Sequence, residues 1–314
     1  MGKPVVLVMG PLFAPTLNEL EATFDCHRLW EAADKPALLR SLADRCRIVV
    51  TSGGRGIKAD EMRALPRLAL VSCFGVGVDA VDTDYCREHG IIVTNTPDVL
   101  TDDVADMALA LLLGAIRQIP AGDRFVREGR WLRGPMPLTR SLQRRKVGIV
   151  GLGRIGLAIA RRCAAFGTGI AYSGPREKPA QPHRYFADVV AMADWADVLI
   201  AACPGGEATR HIVSRAALEA LGPDGVFVNI ARGSVVDQAA LIDCLADGRL
   251  GGAGLDVFDD EPRVPQALID LPRVVLHPHQ GSGTVPTRTA MGRLTIDNVI
   301  AFTEGRPVLT RYEG

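Results

Sequence analysis

The sequence lacks an excess of charge of either sign. Lys and Arg together number 36, and Asp and Glu together also number 36, so the formal net charge at pH 7 is zero. General nucleic-acid binders carry a basic face, whereas the densest basic cluster here, at 140–146, is short and interrupted. We therefore expect no nucleic-acid partner. Disorder is also excluded, because hydrophobic residues make up 47% of the chain.

The chain also lacks a long hydrophobic run and paired cysteines. The most apolar stretch, at 107–116, is well short of the roughly 18–20 residues that cross a bilayer. The N-terminus leads directly into an apolar strand, unlike a signal peptide. The seven cysteines are scattered and form no CxxC pair. We therefore expect reduced thiols in a cytoplasmic protein with no membrane partner.

What the sequence contains is an alternation of short apolar runs with helical segments. The runs are about five residues long and rich in β-branched side chains, which is typical of buried parallel strands. The predicted strands are 5–9, 47–52, 68–73, 90–94, 146–150, 169–172, 198–202, 225–230, 252–256 and 273–276. The predicted helices are 17–21, 36–43, 101–117, 123–128, 155–166, 238–246 and 287–302.

This pattern begins again near residue 145, after a helical segment at 101–117 that we interpret as a linker helix. A chain of 314 residues also favours two domains at roughly 150 residues each. We predict two Rossmann-like α/β domains, each a doubly wound parallel sheet, with an active-site cleft between them. The tail helix is expected to fold back on the first domain. The domains would then cover residues 1–99 plus 284–314, and 100–283.

A strand, a glycine-rich turn and the start of a helix follow one another at 146–156. Gly151 permits the tight turn, Gly153 lets backbone amides approach a pyrophosphate, and Gly156 allows the helix to pack closely on the strand. The helix N-terminus then offers amide donors to an anion. A ligand-free glycine turn is the alternative, and the correct flanks disfavour it. We predict that the second domain binds a nicotinamide dinucleotide.

The end of the next strand bears on which dinucleotide binds. An NAD site usually has a carboxylate there, whereas Ser173 occupies that position and Arg176 and Lys178 follow. A hydroxyl and a guanidinium accept a 2′-phosphate that a carboxylate would repel. We therefore expect NADP(H) as the preferred cofactor, with NAD(H) as the alternative. Glu177 opposes this prediction if its side chain points inward.

Three polar residues, Arg232, Glu261 and His279, lie at or just past the ends of apolar strands in the second half. Ligands of open α/β sheets bind outside the carboxyl ends of the strands, so these residues are candidates for catalysis. His277 and His279 also form an HxH pair, which could bind a metal. No third ligand is evident in the sequence, and we expect no metal.

Several segments, in one order along the chain, resemble the D-isomer-specific 2-hydroxyacid dehydrogenase family. They are FGVGVD at 74–79, the helix start at 102–110, GLGRIG at 151–156, ARG at 231–233, DEP at 260–262 and the segment around His279. The resemblance covers nearly the whole chain. It is greatest to glyoxylate/hydroxypyruvate reductases and plant-type hydroxyphenylpyruvate reductases, through Trp131, the Tyr-Ser-Gly strand end and the residues that follow His279.

The resemblance implies the roles of the site residues. Arg232 would hold the substrate carboxylate, His279 would be the general acid, and Glu261 would be its partner. The cofactor would contact Leu152, Gly153, Arg154, Ile155, Ser173, Gly174, Arg176, Cys203, Pro204, Thr209, Ile230, Ala231, Arg232, Asp256, His279 and Gly281. Asp256 would lie near the nicotinamide amide, and a cap after the strand is an equal alternative. The substrate would contact Ser52, Gly53, Phe74, Val76, Gly77, Arg232 and His279.

The implied function is NADPH-dependent reduction of glyoxylate or hydroxypyruvate to glycolate or D-glycerate. Hydroxyphenylpyruvate or another aromatic 2-keto acid is an alternative substrate, although Phe74 would narrow the pocket. An alternative of another class is a dinucleotide-sensing interaction protein, because related corepressors can keep the Arg–Glu–His set. Trp131, Leu132 and Met136 are expected at a homodimer interface, and in similar reductases a residue of this loop reaches the partner's active site. For Trp131, a plain interface residue or a core aromatic is an equal alternative.

Overall fold

The computed structural model describes residues 2–313. These residues form two compact units, one that runs to residue 100 and resumes at 284, and one of residues 101–283. Each unit contains one sheet, with five strands in the first and seven in the second, and every named strand pair is parallel. The predicted fold class, two parallel-sheet α/β domains, is confirmed. The predicted boundary after residue 99 lies one residue before the division seen in the structure, and the cleft between the domains stays a prediction.

Strands and helices alternate along the first stretch of chain. They are β1 (Val5–Val8), α1 (Ala14–Thr23), β2 (Asp25–Arg28), α2 (Lys35–Leu42), β3 (Ile48–Ser52), α3 (Ala59–Arg63), β4 (Leu70–Phe74), α4 (Thr83–Glu88) and β5 (Ile92–Thr94). The sheet order is β2-β1-β3-β4-β5. The parallel arrangement brings the carboxyl ends of all five strands to one edge, as in other doubly wound sheets.

The second stretch begins with two helices and then builds the larger sheet. Its elements are α5 (Thr101–Ile116), α6 (Ile119–Arg127), β6 (Lys146–Val150), α7 (Arg154–Ala164), β7 (Gly169–Ser173), β8 (Arg184–Phe186), α8 (Val189–Trp195), β9 (Val198–Ala201), α9 (Arg215–Leu221), β10 (Val226–Asn229), α10 (Gln238–Ala246), β11 (Gly252–Leu255), α11 (Gln266–Ile269) and β12 (Val274–Leu276). The order is β12-β11-β10-β9-β6-β7-β8. Strands after β6 are added first on one side, as β7 and β8, and then on the other side from β9 onward, so the strand order reverses between β6 and β9. That reversal is the point where doubly wound sheets bind ligands.

All ten predicted strands overlap strands in the structure, but two edge strands were not predicted. These are β2, with the sequence DCHR, and β8, with the sequence RYF. Both are only partly buried, because an edge strand has a neighbour on one side only. Neither therefore shows the continuous apolar run by which the buried strands were predicted.

The helix predicted at 101–117 and interpreted as a linker corresponds to α5, which lies within the second unit. It packs against α7, β10 and β11, and a β-carbon on Gly254 would lie 2.8 Å from the Cβ of Leu111. Arg162 of α7 forms ion pairs with Asp102 and Asp106 in the first turns of α5, at 3.0 and 2.6 Å. The helix therefore belongs to the layer that covers this sheet.

The last helix, α12 (Val285–Thr303), belongs to the first unit and packs against β4 and α1. Its inner face includes Asn298, which is fully buried. The Asn298 side chain accepts from the backbone N–H groups of Leu309 and Thr310, at 2.9 and 3.1 Å, and donates to the Leu294 carbonyl at 2.8 Å. This satisfied amide attaches the C-terminal segment to the helix.

Within residues 2–313, no single helix is long and apolar enough to cross a bilayer. Helices α5 and α6, bent by 58° relative to each other, reach the length and apolar composition of a membrane span only when they are taken together. The seven cysteines, all within the described residues, form no disulfide. Burial raises the pKa of several of them, to about 12 for Cys163 and about 11 for Cys203. These thiols are therefore protonated at neutral pH.

Candidate active site

The glycine-rich turn lies between β6 and α7, at the carboxyl end of the sheet. Gly151 has a φ of +97°, a conformation that favours glycine, and a β-carbon there would lie 2.7 Å from the backbone of Cys203. A β-carbon on Gly156 would collide with the carbonyl oxygen of Gly151. The protein itself therefore requires these two glycines.

Gly153 differs from the other two glycines, because no neighbouring atom of the described residues requires a glycine at this position. A β-carbon placed on it would have no atom of the described residues within 4 Å, and its φ of −79° is open to any residue. Gly153 caps the N-terminus of α7 and is exposed. A glycine there leaves room beside the helix dipole for the pyrophosphate of a dinucleotide, so the turn fits this ligand. The neighbouring Leu152 is buried, Arg154 is exposed and Ile155 is half-buried.

The loop after β7 lies beside this turn. Ser173 is buried at the strand end, and its carbonyl accepts from the N–H of Gly151 at 2.9 Å. Gly174 follows, and Arg176 is exposed. Lys178, which the sequence suggests as a phosphate contact, donates from Nζ to the carbonyl oxygen of Leu152 at 2.7 Å. The loop therefore contacts the glycine turn through this lysine.

His279 and Glu261 form a pair. His279 Nδ1 lies 2.7 Å from Glu261 Oε2, and the other carboxylate oxygen accepts from the N–H of Phe258 at 3.0 Å. Since an ionised carboxylate only accepts, the shared hydrogen belongs to Nδ1. His279 has a φ of +51°, and its own N–H donates to the carbonyl of Asp256 at 2.8 Å. A non-glycine residue in this conformation is uncommon, and such strain often marks a functional position.

The charge state of Glu261 follows from its surroundings. Burial alone would raise the pKa of this carboxyl, but the hydrogen bonds from His279 and the Phe258 N–H, together with the charges of His279 and Arg232, outweigh burial and lower the pKa. Glu261 is therefore a carboxylate at neutral pH. The charge of Arg232 is the smallest of the influences that lower this pKa.

Arg232 follows β10 and is half-buried. Asn229, the fully buried last residue of the strand, donates from Nδ2 to the carbonyl of Arg232 at 2.8 Å and accepts from the N–H of Ala231 at 3.0 Å. The Arg232 guanidinium also donates to the Ala231 carbonyl at 2.7 Å. Asn229 thus shapes the turn that carries Arg232, a role the sequence did not reveal because asparagine is common in turns.

Asp256 is the centre of a second network. It is buried, and Oδ1 accepts from His277 Nδ1 at 2.8 Å and from the N–H of Gln280 at 2.9 Å. Oδ2 accepts from the N–H of Gly281 at 2.8 Å. Asp256 therefore holds the loop that carries His279, which favours the capping alternative over a direct contact with nicotinamide.

The other predicted cofactor residues lie at neighbouring strand ends. Cys203 and Pro204 follow β9, and the Pro204 carbonyl accepts from the hydroxyl of Thr209 at 2.7 Å. Ile230 and Ala231 are buried directly after β10. Predicted cofactor residues thus lie at the ends of five strands along one edge of the sheet, namely β6, β7, β9, β10 and β11.

Within residues 2–313, no group of three or more His, Cys, Asp or Glu side chains could hold a metal ion.

In the first unit, the predicted substrate residues follow β3 and β4. Ser52 and Phe74 end these two strands, and a β-carbon on Gly75 would lie 3.5 Å from the backbone nitrogen of Gly53. Phe74 is buried. The carbonyl of Val76 accepts from Asn95, and that of Gly77 from the Cys73 thiol, at 2.9 and 3.6 Å. The two loops are therefore neighbours.

Comparison with known proteins decides the family. Residues 109–281 match the sequence model of the D-isomer specific 2-hydroxyacid dehydrogenase, NAD binding domain. A glyoxylate/hydroxypyruvate reductase A of Arabidopsis thaliana is 47% identical over 305 residues, which are 97% of this chain and 97% of that protein. The chain belongs to the D-isomer specific 2-hydroxyacid dehydrogenase family. The predicted family and the dinucleotide-binding domain are confirmed.

Two further members of this dehydrogenase family are similar over nearly their whole length. A hydroxyphenylpyruvate reductase of Plectranthus scutellarioides is 46% identical and covers 97% of both chains. The crystal structure of an NADPH-dependent glyoxylate/hydroxypyruvate reductase from Sinorhizobium meliloti, in complex with NADP and malonate, has a TM-score of 0.93 and 44% identity, over 99% of this chain and 97% of that one. The protein is an NAD(P)-dependent enzyme of the 2-hydroxyacid dehydrogenase type.

Proposed function

We propose that this dehydrogenase is an NADPH-preferring reductase of small 2-keto acids, glyoxylate or hydroxypyruvate. The observation that carries the proposal is the His279–Glu261 pair near Arg232, in the unit that carries the glycine turn. A general acid held by a carboxylate, beside a guanidinium, suits the reduction of a carbonyl next to a carboxylate. The relatives named as glyoxylate/hydroxypyruvate reductases support the choice of substrate.

The chemistry divides between the cofactor and the protein. When bound, a reduced nicotinamide supplies the hydride that converts the keto carbon to an alcohol carbon. His279 gives the proton to the keto oxygen from Nε2, since Nδ1 is engaged by Glu261. The Glu261 carboxylate orients the ring and stabilises the imidazolium that precedes transfer. After transfer, the neutral ring retains its hydrogen on Nδ1.

Arg232 contributes charge and orientation in this proposal. Its planar guanidinium can hold a substrate carboxylate with two parallel hydrogen bonds and polarise the neighbouring keto group. The family resemblance also implies a substrate contact in the loop at 74–77, through the backbone N–H groups of Val76 and Gly77. Small residues in this loop let a ligand approach the backbone closely.

The first experiment compares substrates at saturating cofactor. Initial rates of NADPH and NADH oxidation are measured with glyoxylate, hydroxypyruvate and hydroxyphenylpyruvate. We expect fast NADPH oxidation with the two small acids and slow oxidation with the aromatic one. A preference for hydroxyphenylpyruvate would favour the alternative that the Plectranthus relative suggests. Tight dinucleotide binding without turnover of any of the three would contradict the proposed reductase and favour the sensor alternative.

The cofactor preference rests on the loop after β7. Ser173 ends the strand where NAD enzymes usually carry a carboxylate, and Arg176 is exposed in the loop. We expect Arg176→Ala to weaken NADPH binding about 10- to 100-fold, because a charge-assisted bond to phosphate is lost, and to spare NADH. Arg161→Ala, at the far end of α7, is the matched control. Equal losses for both cofactors would refute the assignment of Arg176.

The partner proposed for the protein is a second copy of itself. Several large apolar side chains between α5 and β6 are exposed in the single chain, including Trp131 at 66% and Leu132 at 93%. Trp131 is therefore not a core aromatic, and several large apolar side chains exposed in one segment favour an interface. We expect Leu132→Asp to shift the mass measured by light scattering from dimer to monomer. An unchanged mass would contradict this interface.

The location of the protein in the cytoplasm stays a prediction.

A further inference from the structure

The loop at 174–178 is held at both ends by tyrosine hydroxyls. Tyr185 donates to the carbonyl of Gly174 at 3.1 Å, and the backbone N–H of Lys178 donates to the hydroxyl oxygen of Tyr172 at 2.6 Å. The two tyrosines are register partners on β7 and β8, with ring centroids 5.3 Å apart. Both ends of the loop are therefore anchored to the sheet.

The side chain of Lys178 adds a third attachment, to a different segment. Its Nζ donates to the carbonyl of Leu152 at 2.7 Å, and Leu152 lies between Gly151 and Gly153 in the glycine turn. The backbone and side chain of one residue thus connect the β7 loop to the turn. The turn serves the pyrophosphate, which NADH and NADPH share, whereas only NADPH carries a 2′-phosphate.

We propose that Lys178 and Tyr172 are positioning residues with different effects on the two cofactors, and that Arg176 supplies a cation for the 2′-phosphate. The Lys178 ammonium stabilises the glycine turn through Leu152 and so serves both cofactors. Tyr172 holds the end of the loop and so places Arg176. This inference rests on the proposed preference for NADPH.

Two variants each remove one of these bonds and leave the other. Lys178→Met removes the ammonium bond to Leu152 but keeps the backbone N–H that Tyr172 accepts. Tyr172→Phe removes the hydroxyl that accepts from Lys178 and keeps the buried ring, which is only 1% exposed. Their effects on the two cofactors should therefore differ.

The experiment measures the dissociation constants of NADPH and NADH by calorimetry, without substrate, so that no turnover is needed. For Lys178→Met we expect both constants to rise by the same factor, about 3- to 10-fold, the loss of one hydrogen bond. For Tyr172→Phe we expect a rise of about 3- to 10-fold for NADPH and an unchanged constant for NADH. Lys35→Met and Tyr85→Phe, both in the first unit, are the matched controls.

Other outcomes would overturn the inference. If Lys178→Met weakened the binding of NADPH alone, that lysine would be a phosphate ligand. If either variant bound both cofactors as the wild type does, the hydrogen bond removed in that variant would not position the cofactor. Should Tyr172→Phe fail to fold, Tyr185→Phe tests the other end of the loop with the same expected result. A wild-type protein without NADPH preference would refute the proposed function, whereas the equal losses expected of Lys178→Met would still be measurable.

Discussion

Two histidine–carboxylate pairs lie two residues apart at one edge of the larger sheet, and they differ in what surrounds the carboxylate. His277 pairs with Asp256, whose side chain is 3% exposed, and His279 pairs with Glu261, whose side chain is 33% exposed. Asp256 also accepts from two backbone N–H groups of the following loop, whereas Glu261 accepts from one, at Phe258.

The comparison separates a structural pair from the pair that we propose to be catalytic. A buried carboxylate with three donors holds a loop in place and has little capacity left for a ligand. A half-exposed carboxylate with one histidine can respond when that histidine loses its proton. The same two residue types therefore serve the architecture in one pair and the proposed proton transfer in the other.

The largest effect is expected for His279→Ala. Removing a general acid lowers kcat by about 100- to 10,000-fold, while the dissociation constant of NADPH should stay near that of the wild type. Steady-state rates and calorimetry on the same preparation test both. Turnover at the original rate would show that the proton comes from another group.

Glu261→Gln should have the next largest effect, a fall in kcat of about 10- to 100-fold, the loss of one charge-assisted hydrogen bond. The substitution also has a signature in stability. Because the pKa of Glu261 is lowered in the folded protein, its stabilisation is present above the ordinary value of 4.5 and is lost as the pH falls through the lowered pKa.

The difference in free energy of unfolding between wild type and Glu261→Gln should therefore be constant near neutral pH and shrink below 4.5. Urea unfolding at a series of pH values measures it. A difference that grows as the pH falls would mean that the carboxyl is protonated in the folded protein.

Asp256→Asn should affect stability more than chemistry, in contrast to Glu261→Gln. In the asparagine variant, an NH₂ group replaces one of the two oxygens that accept hydrogen bonds from the His277 ring and the backbone. Because an NH₂ group cannot accept, we expect the free energy of unfolding to fall by about 1–3 kcal/mol. Displacement of the loop that carries His279 should lower kcat by about tenfold. A lower kcat at wild-type stability would instead favour the nicotinamide contact that the family resemblance implies.

The smallest effect is expected for His277→Ala. The substitution removes one of the three donors to Asp256, so the free energy of unfolding should fall by about 0.5–1.5 kcal/mol. The rate should stay within about threefold of the wild type, because the two backbone donors still hold the loop. If His277→Ala lost as much activity as His279→Ala, the two pairs would not be functionally distinct.

Much of the fold was predictable because its signals are local. Buried strands show continuous apolar runs, and the predicted helix at 238–246 has the bounds of α10. The edge strands β2 and β8 lack such runs, and only pairing with a neighbour defines them. The role of α5 depends equally on distant partners, since it packs on strands that come far later in the chain.

The family, the parallel α/β architecture and the glycine turn could all be read from the amino-acid order, because each depends on local patterns or on their order along the chain. The pairing of each histidine with its carboxylate, over 18 and 21 residues of chain, and the contact of Lys178 with a carbonyl 26 residues away could be seen only in the folded chain. They arise because parallel strands bring their carboxyl ends to one edge of the sheet. Side chains remote in the sequence therefore meet there, at distances that spacing along the chain does not reveal.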